Sequence, residues 1–363
     1  MYSLLPLAAL AAVASAFPQA VHDESASRFT YYDMPTALAG PCDLTTGPDG
    51  AIWVSDFLVN KIARVDPKSG HVEEYDIPYT IAADYSLPPI LSVPGLNRTA
   101  LACVVQPGED GNLYAATGVR NQFLRINPTT KAIKVFTPPY FNPLGNLQPL
   151  NDFYRYKDGI YFTMTTAGKL CHFAYHTEKF TCYDVPNVLT TATAGPVGVY
   201  YASDGGIWIC GFTGQYVARF DPVKKKFTKV TPVPLNGIGP AVVRAETEGK
   251  YVWYTGFLSN SMLRVEMATG AVKVYTNDVP ASFPVEDTVD GDGNVWFSSL
   301  TQNTLNKLDP KTGKFTHITQ PGTIVTLPAS FPPYADIASH WDKATNSIWF
   351  TELARNRVGR YQL

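Results

Sequence analysis

Charge is scarce in this sequence: 17% of its 363 residues are Asp, Glu, Lys or Arg, and the formal net charge is −2. Without a concentrated basic surface nothing holds a polyphosphate, so nucleic acid is excluded as a partner. Long apolar runs are also lacking. The longest, 1–16, falls short of the roughly 20 residues that a spanning helix needs and is interrupted by Pro6, so no membrane span is expected. The usual catalytic signatures are missing: there is no G-x-S-x-G elbow, no H-E-x-x-H, no P-loop and no dinucleotide fingerprint. Cysteine is limited to five residues, with no zinc-type spacing. What is present is apolar material, 45% of the chain, enough for a large core and too much for disorder.

That material is organised as a repeat. One unit runs from Gly40-Pro41 through Asp49-Gly50, Ile52-Trp53-Val54-Ser55, Lys61-Ile62-Ala63-Arg64-Val65-Asp66-Pro67 and Gly70 to Val72-Glu73-Glu74-Tyr75. Apolar and polar residues alternate with a period of two, and Asp-Gly, Asp-Pro and Ser-Gly supply the turns, which gives four strands. The anchor aromatic Trp53 returns as Tyr114, Tyr161, Trp208, Trp253, Trp296 and Trp349, at intervals of 43–53 residues after Tyr114. Such a period belongs to propeller blades.

The last unit stops at Leu363 without a fourth strand, while Arg28 to Pro35 ahead of the first Gly-Pro matches the missing one. Pairing the two closes the ring and removes its open edges. The expected fold is therefore all-β, a seven-bladed β-propeller with four antiparallel strands per blade, its last blade closed by the N-terminal strand. The run 1–16, ending in Ala14-Ser15-Ala16, reads as a signal peptide, which leaves 17–363 as a single secreted domain. Export suits disulfides. Cys42 and Cys103 occupy equivalent places in blades one and two, and Cys171 and Cys182 flank a hairpin turn, so each pair can close, leaving Cys210 buried and inert. Asn97-Arg98-Thr99 is a glycosylation acceptor triplet.

Function in a propeller gathers where loops lead into the innermost strands, here called the upper face. The long segments 79–100, 137–150 and 320–333 lie there and form an aromatic, proline-rich cover. Counting back from the anchors brings Asp43, Val104, Asp152, Gly198, Val242, Glu286 and Asp336 to one level near the start of the innermost strands. Asp43, Glu286 and Asp336 would be neighbours at the channel mouth, where like charges raise one another's pKa and make one a general acid. They are the candidate catalytic residues. Alternatively the acids line a water-filled channel, or hold a divalent cation; otherwise no cofactor is implied. Asp152, Arg120, Tyr334, His340 and Trp341 are the candidate substrate-binding residues.

The unit Gly40-Pro41-x-x-Leu44, Asp49-Gly50-x-Ile52-Trp53-Val54-Ser55, Asn60-Lys61-Ile62-x-Arg64-Val65 resembles the blade repeat of virginiamycin B lyases, also called streptogramin lyases. Ile348-Trp349-Phe350-Thr351-Glu352 with Asn356-Arg357-Val358-Gly359-Arg360 is similar to it again. The resemblance implies a propeller. It also implies elimination chemistry that opens a cyclic depsipeptide, with histidine, glutamate and magnesium on the upper face. At the inner-strand places for such a histidine this chain has Cys42, Val197, Ala241 and Val285, and Glu286 is the one matching type nearby. The export run, cysteine pairs, glycan acceptor and aromatic loops look more like secreted fungal members of this group that act as hetero-Diels-Alderases. That likeness implies small-molecule partners, a tropolone o-quinone methide and a humulene-type sesquiterpene. A lactonase or a non-catalytic ligand-binding propeller are the other readings, and the oligomeric state stays open.

Overall fold

The computed structural model describes residues 26–78, 99–101, 103–118, 121–140, 151–186, 195–233, 239–326 and 329–363. Asn97, Arg120 and the run 1–16 lie outside them. Among the described residues twenty-eight strands form seven antiparallel sheets of four. In six of them the strands follow chain order from the channel outwards. In blade seven the N-terminal strand Phe29–Asp33 takes the outermost place, paired with Arg357–Gln362 from Phe29↔Tyr361 to Asp33↔Arg357. The expected seven blades and their closure are both there.

Burial explains the pattern of each blade. The second strand of blade one, Ile52–Asp56, is buried on both faces between neighbouring blades, whereas the outermost strand of blade four, Lys226–Pro232, alternates exposed and half-buried residues. Trp53, Trp208, Trp253 and Trp349 are fully buried. Trp53 Nε1–H donates to Asp49 at 2.8 Å, and Arg64 Nε–H reaches the same carboxylate at 2.8 Å. Asp204, Trp208 and Arg219 repeat that arrangement in blade four, so the anchors and their acids build the frame. The Asp-Pro turns also recur. Asp66 accepts from the Lys68 and Ser69 N–H groups at 2.8 and 3.0 Å, and Gly70 takes the positive φ of 75° that closes the turn.

Two disulfides are present, Cys42–Cys103 between blades one and two and Cys171–Cys182 across paired strands of blade three, while Cys210 is a buried free thiol. Among the described residues no helix is long and apolar enough to cross a membrane.

Candidate functional site: the central channel

A chain of hydroxyls sets the level of each innermost strand. In blade one the Asp43 N–H donates to Ser55 Oγ at 3.1 Å; in blades three, five, six and seven Asp152, Val242, Glu286 and Ala338 make the same bond to Thr163, Thr255, Ser298 and Thr351. Most of these hydroxyls donate onward to the next blade, as Thr351 does to the Cys42 carbonyl at 2.7 Å and Thr163 to that of Val197 at 2.6 Å. The sulfur of Cys210 stands in for the hydroxyl in blade four, accepting from the Gly198 N–H and donating to the Ala241 carbonyl. Asp43, Asp152 and Glu286 therefore share one level, as the anchor spacing implies.

Asp336 does not share it. Ala338 occupies the level in blade seven, and Asp336, cross-strand from Glu352, stands where blade one has Pro41. Asp336 lies 13 residues ahead of Trp349, whereas Asp43 lies 10 ahead of Trp53, so aligning the two overshoots the level by two residues. Asp336 belongs instead to a buried cluster at the upper end of blade seven, where it accepts from Gln320. Burial, reinforced by Glu352, pushes its carboxyl well above the ordinary range. Arg357 pairs with Glu352 at 2.6 and 3.1 Å. Tyr334 is nearby and fully buried, its hydroxyl donating to the Pro321 carbonyl at 2.8 Å and its ring beneath Arg355.

The residue that sequence reasoning missed is Arg244. From blade five it reaches Asp43 at 2.7 and 3.1 Å, Asp152 at 2.6 Å and Glu286 at 3.1 Å, joining blades one, three and six across the channel. Its backbone N–H also donates to Asp287 Oδ1 at 3.2 Å. Blade five carries two residues, Val243 and Arg244, between Val242 and Ala245, where blade one has Leu44 alone between Asp43 and Thr45. The inserted residue lets a long side chain point along the channel. The available clue was a lone arginine in the apolar stretch Gly239-Pro240-Ala241-Val242-Val243-Arg244-Ala245.

One guanidinium cannot balance four buried carboxyls. Asp43 takes two bonds from Arg244 and one from the Val105 N–H at 2.7 Å, and Asp152 takes the Phe153 and Val199 N–H groups beside Arg244, so these two are held as acceptors. Burial raises the Asp152 carboxyl, with Arg244 opposing. Burial also pushes Glu286 and Asp287 well above the carboxylate range, which favours the neutral acid. Glu286 Oε2 and Asp287 Oδ2 are both buried without a hydrogen-bond partner. Val242 at this level, and Val285 and Ile337 one residue before it on their strands, are half-buried and apolar.

His340 and Trp341 lie at the lower end of the channel, where the innermost strands finish. There a cavity of about 460 Å³ is lined by both residues together with Tyr154, Arg155, Arg244 and Asp287. Thr46 meets His340 Nε2 through its hydroxyl at 2.8 Å and its backbone N–H at 3.2 Å, and burial lowers the ring to about 4, so it is neutral at pH 7. Among the described residues no group of three or more His, Cys, Asp or Glu is placed to hold a metal ion. Arg244 already occupies the carboxylates that a magnesium ion would need, so these residues do not fit the ion that the lyase resemblance implies.

The chain is similar in shape to a streptogramin B lyase structure, with 17% identity over 93% of this chain and 99% of that one and a TM-score of 0.73. Virginiamycin B lyase from Staphylococcus aureus gives 18% identity, coverage of 92% and 99%, and a TM-score of 0.73. The extracellular domain of a hybrid two-component system from B. thetaiotaomicron gives 15% identity, coverage of 93% and 40%, and a TM-score of 0.65. At such identities the likeness speaks for the propeller alone. No curated protein matches the sequence. The sequence model of the virginiamycin B lyase family matches residues 92–363, most of the chain, and with the seven closed blades this establishes that the chain belongs to the virginiamycin B lyase family.

Proposed function

We propose that this chain is a secreted enzyme, folded as one domain over 17–363, that joins a tropolone o-quinone methide to a humulene-type alkene by hetero-Diels-Alder cycloaddition at the upper mouth. The observation that carries the reading is Glu286: a buried acid, favoured neutral, with an unpaired Oε2, on innermost strands that also carry the half-buried apolar Val242, Val285 and Ile337. Cycloaddition needs no nucleophile. It needs an apolar wall that holds diene and alkene in a reactive pose, and the preceding loss of water needs a proton donor.

In this scheme Glu286 protonates the departing hydroxyl of a hydroxymethyl tropolone, which leaves as water, and the tropolone O–H proton returns to the carboxylate. Asp43 and Asp152 position Arg244, whose charge sets how firmly Glu286 keeps its proton. Arg120 is proposed to hydrogen-bond the tropolone oxygens, and Asn97 to carry a glycan. The lyase reading draws on family membership, and its elimination would also use Glu286 as the proton-transfer group.

Purified protein incubated with a hydroxymethyl tropolone and humulenol is expected to raise rate and stereoselectivity above buffer, and Glu286→Gln to lower the rate about a hundredfold. Product formation no better than in buffer rejects the assignment. Full activity in Glu286→Gln rejects the role of the acid.

A further inference from the structure

We infer that the lower mouth is a second binding site, for a small planar organic anion of the aromatic or conjugated carboxylate class, separate from the upper mouth. The cavity there, about 460 Å³, has a size suited to one small molecule. Its floor is Arg244 and Asp287, and its walls include His340, Trp341, Tyr154 and Arg155. Arg244 and the carboxylates gathered around it span the channel between this cavity and the upper mouth.

The polar groups left over are donors. Arg244 Nε–H is buried without a partner, its other nitrogens being committed to Asp43, Asp152 and Glu286. His340 is engaged at Nε2 by Thr46 and lends the cavity its ring face. Asp287 has Oδ1 occupied by the Arg244 N–H, and as a neutral acid it offers a hydroxyl at the unpaired Oδ2. The one ionised acid in the lining, Asp342, is spent on Thr46 and Thr345. Lys343 adds positive charge to the lining, and Arg155, paired through Nε with Glu109 at 3.2 Å, keeps its other guanidinium nitrogens.

Two unpartnered donors on residues that line one cavity call for an acceptor with several lone pairs, and a carboxylate supplies about four. An ammonium ligand would meet a donor at both. Trp341 and Tyr154, both half-buried, supply aromatic surface for a flat conjugated body, with Trp341 fixed by its backbone N–H to Thr288 at 3.1 Å and its indole N–H to Asn346 at 3.3 Å.

Calorimetric titration of the intact protein with benzoate, and separately with its uncharged isostere benzamide, tests this. Benzoate is expected to bind at least about tenfold more tightly than benzamide, the difference between charge-assisted and neutral hydrogen bonds. Trp341→Ala and Arg155→Glu should each weaken benzoate about tenfold. Asp287→Asn, which keeps an N–H donor in place, should stay within about threefold. Melting temperatures verify that the variants are folded. Equal affinity for benzamide, no heat with millimolar benzoate, or benzoate binding untouched in a folded Trp341→Ala protein would each overturn the site. None of these outcomes depends on the upper-mouth reaction, which is read by its own assay.

Discussion

Replacing Arg244 by Met removes the cation but keeps most of the side-chain volume, so it isolates what the charge does in the channel. Asp43, Asp152 and Glu286, all buried, lose a partner at 2.6–3.1 Å at the same time. Breaking a buried pair by removing one member costs about 3–5 kcal/mol, because the other charge is left uncompensated. An unfolding entropy of about 2.1 cal/mol/K per residue gives a chain of this size roughly 0.7 kcal/mol/K, so the expected loss is about 4–7 °C in melting temperature at pH 8. The loss depends on pH. Without Arg244 the buried acids take up protons in the folded state at a pH where the unfolded chain's carboxyls, near 4, are still ionised. The folded variant then binds more protons than the unfolded one, and its stability falls as pH rises above about 4. The gap between native protein and Arg244→Met is therefore widest at pH 8 and narrows towards pH 5, which paired thermal scans at the two values measure. A gap under about 1 kcal/mol at pH 8, or one that is constant from pH 5 to 8, would refute the idea that Arg244 holds charged carboxylates together.

The two disulfides should contribute unequally. Loop-closure entropy for separations of 61 and 11 residues predicts losses of about 4 kcal/mol for Cys42→Ser with Cys103→Ser and about 3 for Cys171→Ser with Cys182→Ser, measured by denaturant unfolding; a reversed order would contradict this. His340 is expected to titrate at about 4 by NMR, far below the ordinary histidine range. Because its folded pKa is lowered, the unfolded chain binds the extra proton between about pH 6.5 and 4, so His340 costs stability as pH falls through that window. A midpoint near 6.5 would show that the ring is not buried against Thr46.

How much of this was legible in the sequence follows from what a repeat can and cannot encode. Trp53, its six counterparts and the Asp-Gly and Asp-Pro turns recur because every blade must bury the same face and close the same hairpins, so period and closure could both be read from them. Asp43, Asp152 and Glu286 were likewise found at one level, since they sit 10, 9 and 10 residues ahead of their anchors. The group that organises them was not. Arg244 sits in an insertion, and an alignment of repeats discards insertions as noise. Asp336 was misplaced because an acid of the right type stood two residues before the true position, Ala338, in a blade whose first turn is longer by one residue. Both errors yield to one electrostatic question. Three buried acids that share a channel, two of them held as carboxylates, need a counter-ion, and a lone arginine inside an apolar innermost strand has no reason to be there except to supply it. The lower mouth escaped notice because attention follows long loops, and the turns that frame that cavity are short. In a closed ring the departures from the repeat carry the chemistry. Arg244 and the register of blade seven decide which acids meet, while the regular blades decide only that there is a channel for them to meet in.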